Sequence, residues 1–396
     1  MIDIKKVDLS FLLDEIAKSL DISDSLFAEA EAKYKAVGTW LGEGNSPLAR
    51  FSPQIFPQGS FLLGIVVKPV NDSDEYDIDL VFELAIPKEG ITQKQLKELV
   101  GDRLKDHQTY RRMLDEEGRR CWTLLYAEGA QFHLDILPAI PDTGPLVMLK
   151  AMGVPQRLAE TCIAITDNTR PDYDRITSDW PGCNPKGYAA WFRGRMLIRF
   201  EEMRKSLAEI FKAQMDSVPE YQIKTPLQRC IQLLKRHRDI LFQNDPDNRP
   251  ASIIITTLAA MAYNNEADLT DALINIVEGM PNFITCQNGV SWVANPVNPS
   301  ENFADRWRDQ DHPNREAKFR KWLQQVRIDI YRLLTCDDLD GQRELLAGLF
   351  GERVSALSVH KFKETHSGRE AAIAVKKPVQ PAVVPITRLH KPWGDC

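Results

Sequence analysis

Between Tyr76 and Leu84 the chain alternates with a period of two, placing Ile78, Leu80, Phe82 and Leu84 on one side and Asp77, Asp79, Val81 and Glu83 on the other. An extended strand sends successive side chains to opposite faces, so this segment reads as a strand with an apolar face turned to a core and two carboxylates on the reverse. Neighbouring anions repel each other, and a cation or solvent must neutralise them. A second segment repeats the device: Phe132, Leu134 and Ile136 face one way, Gln131, His133, Asp135 and Leu137 the other. If the two strands are neighbours, Asp135 joins Asp77 and Asp79. Three hard oxygen ligands suit Mg²⁺ or Mn²⁺. Two such ions about 3.5–4 Å apart would activate an attacking hydroxyl and stabilise a departing pyrophosphate.

An isolated Asp-x-Asp marks no more than a solvated strand end, and its context is what narrows the reading. Gln58-Gly59-Ser60 precedes Asp77, its glycine permitting close backbone approach and its serine offering a hydroxyl and an amide to a phosphate. A Gly-Ser turn, a strand, a polar turn at 71–75, an Asp-x-Asp strand and a later Asp strand together resemble the polymerase-β-like nucleotidyltransferases. The stretches Gly59 to Pro69, Glu75 to Val81 and His133 to Pro141 are similar to the bacterial cGAS/DncV-like nucleotidyltransferases (CD-NTases, SMODS domains). So are Ile165-Thr166-Asp167 through Trp180-Pro181-Gly182-Cys183-Asn184-Pro185-Lys186-Gly187-Tyr188, Leu234 to Asp239, and Asn295 to Phe303. The likeness runs from about residue 40 to about 340.

The resemblance implies an α+β protein in which a polymerase-β-like nucleotidyltransferase lobe, a mixed sheet with helices, packs on a helical second lobe, with the active site in the cleft between. It implies a cytoplasmic enzyme that joins nucleoside triphosphates, ATP among them, into a cyclic di- or trinucleotide second messenger in CBASS anti-phage defence. Gln58, Gly59 and Ser60 would hold the donor triphosphate, and Asp77, Asp79 and Asp135 would hold two Mg²⁺ and carry catalysis. A Lys and a Ser of the second lobe would close over the triphosphate, and Lys235 and Ser252 occupy the corresponding places. Two departures, Ile65 where a threonine is expected and Cys183 where a serine is common, bear on nucleotide selectivity rather than on catalysis. A linear transferase acting on RNA or a protein side chain, and a nucleotide-binding regulator without catalysis, are the competing readings.

With 396 residues, the chain exceeds the ~250–300 at which single cores stop growing, so two lobes are expected. Apolar spacing predicts helices from about Leu9 to Leu41, broken near residues 21–24, and strands at 51–68, 76–84, 121–126 and 131–137, the last two separated by a turn at Glu128-Gly129. A helix is predicted around Gln93–His107, irregular chain after Pro138, and helices alone from Tyr188 onward. Domain boundaries follow at residues 1–145, 146–367 and 368–396. The last is a flexible tail holding Pro378, Pro381, Pro385 and Pro392, and in the resembling systems accessory proteins conjugate such a terminus.

Arg229, Lys235, Arg236, His237 and Arg238 crowd one predicted helix. They read either as a solvated basic face or, for Lys235 with Ser252 at the start of the next helix, as a phosphate clamp. His133 reads as a hydrogen-bonding support, a metal ligand or a base. Tyr188, Trp191 and Phe192 read as core or as a base-stacking platform. Seven scattered cysteines predict no disulfide framework or zinc site. The N-terminal sequence has no signal-peptide order, and no apolar run reaches the ~18–20 residues of a membrane span. A net charge of -6 disfavours a stable nucleic-acid partner while leaving room for a local basic nucleotide site.

Overall fold

The computed structural model describes residues 4–42, 44–71, 76–126, 132–210 and 223–375. The order of elements is α1 (Ile4–Ser19), α2 (Asp24–Gly42), β1 (Gln54–Pro57), α3 (Gly59–Leu62), β2 (Tyr76–Glu83), α4 (Gln93–Asp106), α5 (Gln108–Met113), β3 (Trp122–Leu125) and β4 (Phe132–Pro141). There follow α6 (Leu146–Ala151), α7 (Gln156–Ala159), β5 (Ile163–Ile165), β6 (Gly182–Cys183), α8 (Pro185–Ile210), α9 (Pro226–Leu241), α10 (Ser252–Ala262) and α11 (Leu269–Gly279). Two ribbons, β7 (Thr285–Gln287) with β8 (Val290–Trp292) and β9 (Ala294–Asn295) with β10 (Asn298–Asn302), precede α12 (Arg315–Thr335), α13 (Leu339–Phe350) and α14 (Glu352–Val375).

The first six strands form one mixed sheet in the order β1-β2-β4-β5-β6. β2 and β4 run parallel with Asp77 opposite His133 and Asp79 opposite Asp135, while β1 pairs antiparallel to β2. The far edge of β4 is shared: β3 pairs with its residues up to Ile136 and β5 from Ala139 onward. Pro138 lies in the gap between these partners, where a residue without an N–H is tolerated. The strand therefore continues to Pro141 instead of turning irregular after Pro138.

One face of the sheet buries Ile78, Leu80, Phe82, Leu134 and Ile136 against α2 and α4. Val81, Leu137, Ala139, Ile163 and Ile165 form a smaller apolar cluster on the other face. A third and larger core joins α8–α13 to Leu9, Leu12, Leu13, Ile16 and Leu20 of the N-terminal segment. The cores thus do not part at residue 145: α1 belongs to the helical core, and β5 and β6 extend the sheet. The second expected boundary, between residues 367 and 368, falls inside α14, which continues to Val375 through helix-forming residues, and the first proline of the tail is Pro378.

Two further expectations are corrected. Residues after Leu62 form no strand, although Ile65-Val66-Val67 is β-branched; their carbonyls bond to side chains of α9. The second half is not all helical, since Asn288 (φ +52°) and Gly289 (φ +75°) turn the chain between β7 and β8. The turn expected at Glu128-Gly129, residues 72–75 of the polar turn and residues 376–396 of the tail lie outside the described residues. No helix among the described residues is long and apolar enough to cross a membrane.

Candidate active site

The antiparallel pairing of β1 with β2 sets Pro57 opposite Leu80, and the next amide, that of Gln58, donates to the Asp79 carbonyl at 2.8 Å. The Gly-Ser turn is thereby fastened beside the carboxylates. Gly59 has φ +60°, a left-handed conformation that an L side chain adopts only under strain, and a Cβ there would lie 2.5 Å from Asp79 Oδ2. The contribution of Gln58 is its backbone bond. Ser60 lies in the first turn of α3, where the N–H groups have no partner within the helix.

The parallel register delivers Asp135 next to Asp79, with Asp77 two residues earlier on the same face. His133 Nε2 donates to Asp77 Oδ1 at 2.9 Å, and that bond holds the Asp77 carboxyl below its usual range. The histidine therefore acts as a support for Asp77. Thr123 donates its hydroxyl to Asp135 Oδ1 at 2.5 Å. Burial, then the charges of Asp135 and Asp77, push Asp79 up to about 6. Among the described residues no group of three or more His, Cys, Asp or Glu side chains is placed to hold a metal ion, and His133 and Thr123 are bonded to Asp77 and Asp135. The donor set nonetheless fits a hard divalent cation: three oxygen ligands lie on adjacent strands, and the middle one is short of positive charge.

Asp77 and Asp79 open on a cleft of about 750 Å³ whose lining includes Gly59 and Ser60 beside them and Lys235, Arg238, Arg249 and Ser252 on the other side; Asp135 stands behind Asp79 and is not part of that lining. Lys235 donates to the Ile65 carbonyl at 3.0 Å, and burial, then the charge of Arg238, pull its ammonium down to about 7. Ser252 opens α10 and accepts from Arg238 Nη1 at 2.7 Å. Arg238 also grips Asp239 through two nitrogens at 2.9 and 2.7 Å, and Arg249 approaches the same carboxylate at 3.4 Å.

Arg229, Lys235, Arg236, His237 and Arg238 are all at most 7 % exposed, which removes the reading of a solvated basic face. His237 pairs with Asp329 at 3.2 Å, and Arg229 with Asp21 at 2.7 Å. Tyr188 and Phe192 are core residues, Tyr188 bonding Thr257 at 2.8 Å, so they are not a stacking platform; Trp191 packs against the same core. Sequence reasoning missed Asp239 and Arg249. The one available signal was position: Arg249 precedes Ser252 by three residues. Cys121, Cys162, Cys183, Cys230, Cys286 and Cys336 are free thiols.

Residues 53–138 match the model of the family described as cyclic GMP-AMP synthase DncV-like, nucleotidyltransferase domain. The chain is similar to a c-di-GMP synthase of Roseivirga ehrenbergii, with 29% identity over 351 residues covering 87% of this chain and 85% of the relative. It is also similar to the cyclic dinucleotide synthase CdnG of Bradyrhizobium diazoefficiens, at 25% identity over 371 residues covering 90% of this chain and 83% of the relative. The solved structure of the Bradyrhizobium diazoefficiens CD-NTase CdnG in complex with GTP shares its fold at a TM-score of 0.67 and 22% identity, covering 90% of this chain and 99% of that one.

Proposed function

We propose, from the match of residues 53–138 to the DncV-like nucleotidyltransferase domain, that this chain is a nucleotidyltransferase that joins two nucleoside triphosphates into a cyclic dinucleotide without a template. The observation that carries the proposal is the β2–β4 register, which puts Asp79 beside Asp135 and leaves Asp77 on the same face, across the cleft from Lys235. The names of the two relatives support the product class, and GTP stands beside ATP as a substrate to test.

In this reading a ribose hydroxyl oxygen of one nucleotide attacks the α-phosphorus of the other. The bond from that phosphorus to the bridging oxygen breaks, pyrophosphate leaves with the electron pair, and the hydroxyl proton passes to solvent. A second transfer with the roles exchanged closes the ring. Asp77, Asp79 and Asp135 would hold two Mg²⁺, or Mn²⁺ in their place, which when bound lower the hydroxyl pKa and offset charge on the pyrophosphate. Gly59 and Ser60 hold the donor phosphates against β2, the missing Cβ of Gly59 leaving room at Asp79. Lys235 and Ser252, with Arg238 and Arg249 behind them, meet the triphosphate from the helical side, where cations and a helix start favour anions.

Incubation with Mg²⁺ and labelled GTP and ATP, then phosphatase, should leave a resistant species with the mass of a cyclic dinucleotide. A phosphatase-sensitive ladder would instead identify a linear transferase, label retained on protein a side-chain modifier, and no turnover a regulator. Asp77→Ala with Asp79→Ala should abolish the product without unfolding the protein.

We also propose that the product signals in anti-phage defence from the cytoplasm and that accessory proteins act on residues 376–396. Deleting those residues should leave synthesis intact and remove protection in infected cells; unchanged protection would reject the role of the tail.

A further inference from the structure

The wall of the cleft formed by residues 63–70 belongs to none of the strands, yet the carbonyls of residues 63–66, 68 and 69 are bonded. Gln228 Nε2 donates to Leu63 O at 3.0 Å, Lys224 Nζ to Gly64 O at 2.8 Å, Lys235 Nζ to Ile65 O at 3.0 Å and Gln232 Nε2 to Val66 O at 2.9 Å. Arg236 Nη2 continues to Lys68 O at 2.5 Å and Pro69 O at 3.2 Å. Positions 228, 232 and 235–236 recur at the spacing of one helix face, so α9 supplies a row of donors where a neighbouring strand would supply amides. Leu63, Ile65, Val66, Val67, Pro69 and Val70 all line the cleft, and Lys235 lines it from the same helix.

Gln232 is the middle of this row and is 1 % exposed. Its amide nitrogen also donates to Asp21 Oδ1 at 2.8 Å, and its amide oxygen accepts from Arg229 Nη1 at 3.1 Å. Arg229 in turn donates to Asp21 Oδ2 at 2.7 Å and to the Ala17 carbonyl at 3.2 Å. The amide is thus fixed from two sides, with one hydrogen left for the wall.

We propose that Gln232 is a positioning residue for the nucleotide: by holding the Val66 carbonyl it fixes the distance between the 63–70 wall and the cation on Lys235. The inference rests on the reading of the cleft as a nucleoside triphosphate site. Asp21 and Arg229 orient the amide, Gln232 orients the wall, and no group of the three needs to touch the nucleotide. A wall left without its central bond adopts more than one placement, and the nucleotide must then select one, which lowers its apparent affinity.

The test is binding of a nonhydrolysable GTP analogue, with Mg²⁺, to the full chain, alongside thermal melting. Gln232→Met removes the donor at similar volume and should weaken binding about tenfold, raising KM far more than it lowers kcat. The double variant Asp21→Asn with Gln232→Glu separates positioning from stability. The amide introduced at position 21 and the guanidinium of Arg229 would bond the new carboxylate and recover part of the melting temperature lost in Gln232→Met, but an oxygen in place of a donor faces Val66, so binding should stay at least about tenfold weak. Affinity that recovers together with melting temperature, or Gln232→Met binding like wild type, overturns the inference while leaving the site reading standing. Wild-type protein that binds no analogue overturns that reading and the inference with it. If Gln232→Met does not fold, the double variant decides alone.

Discussion

At Gly59 two demands coincide, a left-handed backbone and the absence of a Cβ in front of Asp79. Gly59→Ala should cost about 1–2 kcal/mol from the backbone alone and displace the carboxylate. Denaturant melts and product assays should therefore fall together, with turnover reduced more than tenfold. At Lys235, burial has brought the pKa to about 7, below the ordinary 10.5. The unfolded chain binds the extra proton between those values, so this residue destabilises the empty fold below about pH 7, and the penalty lifts as pH rises toward 10.5. A triphosphate needs the charged form, so affinity for a GTP analogue should weaken on the order of tenfold between pH 6.5 and 8.5. Lys235→Arg should flatten that profile, and a slope that persists in the variant would assign the titration elsewhere. The Tyr76 hydroxyl is buried and has no hydrogen-bond partner among the described residues. Tyr76→Phe should leave stability unchanged or raise it by up to about 1 kcal/mol in a denaturant titration.

Among the elements, α9 carries the most functions per residue. Thr225 caps it, with Gln228 returning a bond to the Thr225 amide, and Gln228 goes on to hold the Leu63 carbonyl. Thr225→Ala should cost about 1 kcal/mol of unfolding free energy, read by denaturant titration. The strands that carry Asp77, Asp79 and Asp135 were legible because their alternation is a period-two signal that burial enforces. The run of helices from Tyr188 onward was legible for a related reason, their apolar stripes. Residues 65–68 misled because β-branched composition describes an extended chain without saying what satisfies its carbonyls; here α9 side chains 166–170 residues downstream do so. The β7–β8 ribbon carried an Asn-Gly pair, a local hairpin signal, and could have been read. Asp239 and Arg249 could not: their place in the cleft arises only once α9 and α10 pack.

For the whole molecule, the cleft exists where the sheet and the helical core meet, so ligands that bridge the two sides should stabilise the assembly as a unit. A GTP analogue with Mg²⁺ present at about a hundred times its dissociation constant should add about 2.7 kcal/mol. Thermal melting should show that gain, and a chelator should remove most of it. Equal stabilisation with and without the metal would count against a carboxylate-held ion.

The packing of α1 also bears on the birth of the protein. This helix is covered by one that lies 346 residues further along the chain, with Ser358 bonding the Leu12 carbonyl at 3.2 Å and Lys361 pairing with Glu15 at 2.8 Å. At ordinary rates of translation the two are made tens of seconds apart. The sheet can assemble on the nascent chain, but α1 cannot be covered until α14 has emerged. A product stalled before α14 therefore carries the sheet and its carboxylates while the helical core around α1 is still incomplete.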